Sequence, residues 1–338
     1  MDGVTAHPRP AESGVANHPA VVAWRRLGTG MPKVQAVAGV ERHPRVPKSS
    51  VYRLHVVGES GAAVIAKQCE RQYGEIERTI YELVLPHLPV SYPRFLGMAE
   101  DDDGLSCWLF IEDAGDEAYS PNISQHRTMA GRWLAAMHSS ATLLPSLSHL
   151  PDRSPTHYLR HLRSAKDSIR ENLHNPALNK EQQRHLQRIV SRCQFVEHEW
   201  QRVEQFCRGM PETLVHGDFV GKNVRLRSDA TGTEILPFDW EHAGRGVPAV
   251  DLAQAAFPST TFLANPDLDA YCAAVQWDSL RSEAVQLLAV YGTVFRCLAA
   301  LHWESRRLAY EWVEWPVKNM ILYEAELVEA VKAAGWSE

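Results

Sequence analysis

Two short polar motifs, each set in an apolar run, constrain this chain more than anything else in it. The first is Leu214-Val-His-Gly-Asp-Phe-Val-Gly-Lys-Asn-Val224, in which Asp218 follows a His-Gly pair and Asn223 comes five residues later. The second, Leu236-Pro-Phe-Asp-Trp-Glu241, puts Asp239 at the end of a short hydrophobic strand, sixteen residues after Asn223. A lone His-Gly-Asp is a common turn; the triplet together with that asparagine, that second aspartate and a further Asp251 in Val247-Pro-Ala-Val-Asp-Leu-Ala253 is far rarer. The residue types suit phosphoryl transfer. One carboxylate orients and finally deprotonates a hydroxyl, while an amide oxygen and a second carboxylate hold magnesium against nucleotide phosphates. Magnesium takes hard oxygen ligands and keeps several waters, so one carboxylate and one amide suffice.

Composition narrows the setting. With 338 residues the chain has room for two lobes, and 45% hydrophobic with 22% charged residues is globular composition. Lys plus Arg number 35 against 41 Asp plus Glu, a formal charge of −6, which disfavours a nucleic-acid or anionic-membrane surface. The six cysteines are scattered with no CxxC, so neither a disulfide scaffold nor a structural zinc site is expected, and reduced thiols fit a cytosol. The first twenty residues carry charges and prolines and do not resemble a signal peptide. The longest apolar region, 284–301, is interrupted by Gln286 and Arg296 and reads as a buried helix, not a membrane span. A cytoplasmic protein is the expectation.

Residues 1–20 read as a loose tail. Val51-Tyr-Arg-Leu-His-Val-Val57 and Ala62-Ala-Val-Ile-Ala-Lys67 are β-rich runs divided by Gly58-Glu-Ser-Gly61, which signals a hairpin. Ile76, Ile80, Leu83 and Val84 then recur at helical spacing, and Cys107-Trp-Leu-Phe-Ile111 is a further strand running into Glu112-Asp-Ala-Gly115. Beyond Asn122 the pattern is mostly helical: Met129, Trp133, Leu134 and Met137 share one face, helices are expected over 156–173 and 180–206, and a last helix follows Pro316, read as its first residue. Short β runs at 212–215 and 234–238 flank the first motif. The division is a tail (1–20), a small β-rich lobe (21–111), a linker (112–121) and a larger helical lobe (122–338), an α+β chain.

On His216-Gly-Asp218, Asn223, Asp239-Trp-Glu241 and Asp251 the chain resembles the aminoglycoside phosphotransferase and choline kinase-like family of small-molecule kinases, with Gly217 where protein kinases carry Arg and Asp239-Trp-Glu241 in place of Asp-Phe-Gly. The resemblance implies a protein-kinase-like bilobal fold with nucleotide in the cleft between lobes. It implies Asp218 as catalytic base, Asn223 and Asp239 as Mg2+ ligands, and Asp251 as a brace for the catalytic loop. The fold also requires a lysine on the third strand for the α- and β-phosphates, and Lys67 supplies it. Strand alternation puts Ile65 on the same face, to roof the base. For the lysine's acidic partner, Glu77 lies nearest the apolar stripe of the following helix, with Glu75 as the alternative. Ser49-Ser-Val-Tyr-Arg53 resembles the family's phosphate-covering segment, so Ser49 and Ser50 are candidate phosphate contacts despite the shortage of glycine. Main-chain atoms near Glu112 and Ala114 are expected to meet the adenine.

The reaction the resemblance implies is transfer of the γ-phosphoryl group of Mg-ATP, or GTP, to a hydroxyl of an aminoglycoside-type or other antibiotic, hence antibiotic resistance. The alternative is a metabolic kinase of choline, an amino alcohol or a sugar. Glu304 and Glu311 are read on one helical face beside Trp303, Trp312 and Trp315, offering carboxylates for a polycation or aromatic faces for a quaternary ammonium. The competing reading of these residues is a wet face paired with Arg306 and Arg307 over core tryptophans. His157 and His161, at i and i+4 without an evident third ligand, read as surface histidines. A pseudokinase acting as a binding module lacks support, because Lys67, Asp218, Asn223 and Asp239 are all present; a protein kinase is excluded by the missing Ala-Pro-Glu segment.

Overall fold

Alternating apolar residues in the first third of the chain build an antiparallel sheet of five strands, in the order β1-β2-β3-β5-β4. These are β1 (Val34–Gly39), β2 (Ser50–Val56), β3 (Ala63–Glu70), β4 (Phe95–Glu100) and β5 (Ser106–Glu112). The computed structural model describes residues 14–40, 50–57, 63–230, 232–257, 263–277 and 281–336. The expected hairpin turn at 58–61 lies outside them, but β2 and β3 pair antiparallel as that turn requires.

Period-two alternation gives each strand two faces. One face presents Leu54, Val64, Ala66, Trp108 and Phe110 to α1 (Pro19–Arg26), whose Val21 and Trp24 close a small core. The tail therefore ends sooner than expected. Within 1–20, residues 1–13 lie outside the described part, while Pro19 opens α1 and Ala20 is buried, because the sheet's outer face needs an apolar cover. The opposite face carries Lys67, Cys69, Cys107 and Leu109 toward α2 (Arg71–Thr79). Past α2 a π-helical turn (Ile80–Val84) leads Ile80, Tyr81 and Val84 into the core of the second lobe, so one segment packs on both.

The second lobe holds α3 (Ser124–Ala141), β6 (Asp152–Arg153), α4 (Pro155–Asn172), α5 (Lys180–His198), α6 (Trp200–Cys207), β7 (Thr213–Val215), β8 (Val224–Asp229), β9 (Gly232–Pro237), β10 (Gly244–Gly246), α7 (Leu268–Ala274), α8 (Ser282–Ser305) and α9 (Glu314–Ala333). The single helix expected over 180–206 is two. Glu199, at φ −82°, ψ 0°, caps the first and precedes the second, which buries Trp200 and Val203. Pro316 is the third residue of α9, not the first; it still lies in the opening turn, where an amide has no helical partner to lose. α8 is long and apolar enough to cross a membrane, but 78% of its apolar window is buried inside the protein, which is how a core helix behaves.

Gly292 shows why α8 has a glycine at its middle. A Cβ there would stand 1.8 Å from the Ala249 carbonyl oxygen, in the 3-10 turn Pro248–Leu252 that carries Asp251. Helix and turn are both backbone at that contact, so neither can yield cheaply. Gly292→Ala is expected to destabilise the protein by about 1–3 kcal/mol through overpacking, read as a lower urea midpoint; an unchanged midpoint would mean that the turn relaxes freely.

Candidate active site

The catalytic motif occupies the link between β7 and β8. Gly217 sits at φ 78°, and a Cβ on it would meet the His242 carbonyl oxygen at 2.2 Å, so both backbone conformation and space demand glycine where protein kinases have a larger residue. Asp251 fixes this loop from below: its carboxylate accepts from the amides of His216 (2.7 Å) and Gly217 (2.9 Å). Its charge is buried, and those two donors satisfy it, with His138 Nε2 3.3 Å away. This is the bracing expected of Asp251. The His216 ring, fully buried, lies against Trp240 and reaches the Phe238 carbonyl at 3.1 Å, tying the loop to the strand that delivers Asp239.

Asp218 is 7% exposed and held on two sides. Asn223 Nδ2 donates to its main-chain oxygen (3.1 Å) and to Oδ2 (3.0 Å), which leaves the amide oxygen of Asn223 as the group available to a metal. Arg296, from the middle of α8, forms a 2.9 Å ion pair with Oδ1. Burial alone would raise the Asp218 carboxyl, but Arg296, followed by Lys222 and His242, holds it below its ordinary value. It is a carboxylate at neutral pH.

Across the cleft, β3 delivers Lys67 and α2 delivers Glu77. The Lys67 ammonium contacts Glu77 and Asp239 and lies 3.0 Å from Glu241 Oε2. Glu75, the alternative partner, instead pairs with Arg71 at the surface. Burial works to lower the Lys67 ammonium, and Asp239, Glu77 and Glu241 together outweigh it and raise it well above its usual value. Glu77 moves up, to about 7, because burial outweighs the Lys67 charge and Asp239 adds to it. Asp239 holds a left-handed backbone (φ 71°, ψ 60°), a conformation a non-glycine residue keeps only when its surroundings impose it. The Phe238 amide donates to the Asn223 carbonyl at 3.0 Å, which sets Asn223 and Asp239 side by side.

Three carboxylates around one ammonium leave an excess of negative charge, and Glu77, Asp239 and Glu241 each offer an oxygen within 4.8 Å of the others. Hard oxygen donors with uncompensated charge fit Mg2+, with Asn223 supplying a neutral oxygen nearby. Glu241 thus stands with Asp239 and Glu77 in this cluster.

Other expected residues fall out as follows. Ile65 shares the Lys67 face of β3 and is half-buried opposite Ile111. Ser50 opens β2 opposite Gln68; Ser49, with the rest of 41–49, lies outside the described residues. At the linker, the Glu112 amide donates to Arg94 O and the Asp113 amide to Ala63 O, so neither is available to a base; Ala114 is buried beside them, and the Glu112 side chain pairs with Arg227 at 3.0 Å. Glu304 and Glu311 do not share a helical face, because α8 ends at Ser305. Glu304 is buried on Arg307 and Asn319, whereas Glu311 is exposed. Trp312 and Trp315 are exposed rather than core, and His157 and His161 are half-buried rather than at the surface.

Arg296 is the functional residue that sequence reasoning missed. Its signal was present as the charge interrupting the apolar run 284–301: a guanidinium inside a buried helix needs a buried anion, and Asp218 is that anion.

A family model described as the phosphotransferase enzyme family matches residues 48–285. Among solved structures, a mutant aminoglycoside 2'-phosphotransferase-IIIa in complex with GDP aligns over 89% of this chain and 94% of its own, at 14% identity and TM-score 0.60. A spectinomycin phosphotransferase in complex with ADP and spectinomycin aligns over 90% of this chain and 94% of its own, at 9% identity and TM-score 0.57. Plasmodium vivax ethanolamine kinase aligns over 87% and 81%, at 10% identity and TM-score 0.56. The fold is protein-kinase-like, a β-sheet lobe followed by a helical one. No curated protein matches the sequence significantly.

Removing Arg296 should expose the opposing influence of burial on Asp218. A group held below its unfolded value contributes stability at pH above that unfolded value, and loses it as pH falls through the native one. Arg296→Met is therefore expected to move the Asp218 titration upward, and acid unfolding with it, as read by carboxyl 13C NMR and circular dichroism. A titration that stays in place would show that Arg296 does not set the charge of Asp218.

Proposed function

We propose that this chain, which belongs to the phosphotransferase enzyme family, transfers the γ-phosphoryl group of Mg-ATP or Mg-GTP to a hydroxyl of a small molecule in the cytoplasm. The observation that carries the reading is a buried carboxylate, Asp218, in the same site as a Lys67–Asp239 ion pair that joins the two lobes. Asp218 orients the acceptor hydroxyl and takes its proton as the bond to phosphorus forms. Lys67, placed by Glu77, meets the α- and β-phosphates. Asn223 and Asp239, with Glu241 beside them, would hold magnesium, which neutralises phosphate charge when bound. The left-handed Asp239 and the Asp251 clamp supply preorganisation: the polar groups are already aimed before substrate arrives.

Of the relatives above, one was solved with spectinomycin and one is an ethanolamine kinase. An aminoglycoside-type antibiotic is the acceptor that kinship favours, with an amino alcohol, choline or a sugar as the alternative.

A nucleotide-consumption screen with Mg-ATP and Mg-GTP against hydroxyl-bearing antibiotics, amino alcohols, choline, sugars and hydroxy acids tests the reaction. Asp218→Ala is expected to lose about 10²–10⁴-fold in turnover while still binding Mg-nucleotide. Asp239→Ala is expected to weaken Mg-nucleotide binding itself, measured by calorimetry. Full turnover in the first variant, or undiminished affinity in the second, would remove those residues from their roles. Absence of nucleotide binding in the wild type would favour a non-catalytic binding module.

A further inference from the structure

Beside the catalytic loop lies a cavity of about 180 Å³ whose wall includes Gly217. Its polar lining is basic and rich in imidazole. Arg153, Arg306, His157, His161, His242 and His302 face it, and among the described residues no aspartate or glutamate does. It is also small, below the ~300–1,000 Å³ of pockets that bury drug-sized ligands, so it encloses a compound or group of few heavy atoms.

The cavity abuts the catalytic loop. The His242 carbonyl oxygen, against which Gly217 packs, accepts from Arg153 Nε at 2.8 Å. Trp303, also in the wall, stacks on the His242 ring (4.7 Å between centroids) and lies beneath the Arg296 guanidinium at 5.2 Å. Arg296 in turn touches Asp218 at 2.9 Å. One layer of side chains separates the cavity from the base.

The histidines are not arranged as metal ligands. His161 stacks face to face on His302 (4.3 Å) and edge-on to His157 (4.2 Å), and the only carboxylate, thiolate or imidazole group among the described residues whose donor atoms converge within 4.8 Å is the acidic one at Lys67. Burial first, then neighbouring cations, drives His157 down to about 3 and His161 to about 2, so both rings are neutral near pH 7 and each keeps one N–H to donate. The lasting charge at the wall is that of two guanidiniums, the groups best shaped for carboxylate or phosphate.

We propose that this cavity, beside the catalytic loop, is a binding site for a small compound bearing an anionic group, a carboxylate or a phosphate, seated on Arg153 and Arg306. A polycation would meet two guanidiniums with no carboxylate to receive it, whereas an anion meets matched donors.

The test is calorimetric titration of the full chain, without nucleotide, with D-glycerate, glycerol 2-phosphate and kanamycin, repeated on Arg306→Glu. Arg306 is exposed, so the variant should fold and bind Mg-nucleotide as the wild type does. The expected result is that at least one of the two anions binds the wild type and binds Arg306→Glu at least tenfold more weakly, while kanamycin does not bind the wild type. Which anion binds separates carboxylate from phosphate recognition. The proposal is overturned if neither anion binds, if both chains bind them equally, or if kanamycin binds and gains affinity in Arg306→Glu.

Discussion

The ammonium of Lys67 joins the parts of this molecule that must cooperate. It comes from the middle strand of the small lobe, meets Glu77 from the helix packed on that strand, and reaches Asp239 and Glu241 of the helical lobe. Buried ion pairs add little net stability against a well-packed apolar substitute, but removing one partner is costly, about 3–5 kcal/mol. That asymmetry makes the cluster a device for geometry. Because the one ammonium meets carboxylates from α2 and from the segment after β9, it ties both to β3 and fixes their relative placement. The apolar packing agrees with it, since the segment following α2 contributes Ile80, Tyr81 and Val84 to the helical lobe's core.

A second frame holds the opposite wall. Gly292 lets α8 lie directly on the turn that carries Asp251, Asp251 holds the amides of His216 and Gly217, and the next residue is Asp218. The same helix sends Arg296 to Asp218 from the other side. Position and charge of the base thus both derive from one buried helix. A helix so enclosed cannot shift without disturbing the core around Phe295 and Leu298.

What the sequence made legible follows from how far apart the cooperating residues lie. Asp218, Asn223 and Asp239 stand close along the chain at spacings that chemistry requires, and Lys67 and Glu77 follow from strand alternation and helical angle, so local rules reach them. The lobes were legible because periodicity changes from two to 3.6 between them. Arg296 and Asp218 meet only through tertiary packing, and no periodicity encodes that. The four-histidine cavity is drawn from α4, α8 and the turn after β9, so His157 and His161 looked like a lone surface pair. The misreading of Glu304 and Glu311 has a simpler origin. Helical angles were carried past Ser305, where the helix stops and the chain tightens into a 3-10 turn (Arg306–Ala309). α1 was missed because a short helix covering a sheet needs few apolar residues, here Val21 and Trp24 with two alanines.

The two charged clusters also bear on each other. The acidic one around Lys67 and the cationic cavity share a boundary at Glu241 and His242, whose side chains are 3.5 Å apart. Negative charge gathers around Lys67 and positive charge around Arg153 and Arg306, so the two regions beside the catalytic loop present opposite potentials. Arg296 links them: its guanidinium stands over Trp303 of the cavity wall and pairs with Asp218, which it holds as a carboxylate. The charge that keeps Asp218 ionised is thus also the bridge between loop and cavity, and a change in the cavity wall at Trp303 reaches Asp218 through it.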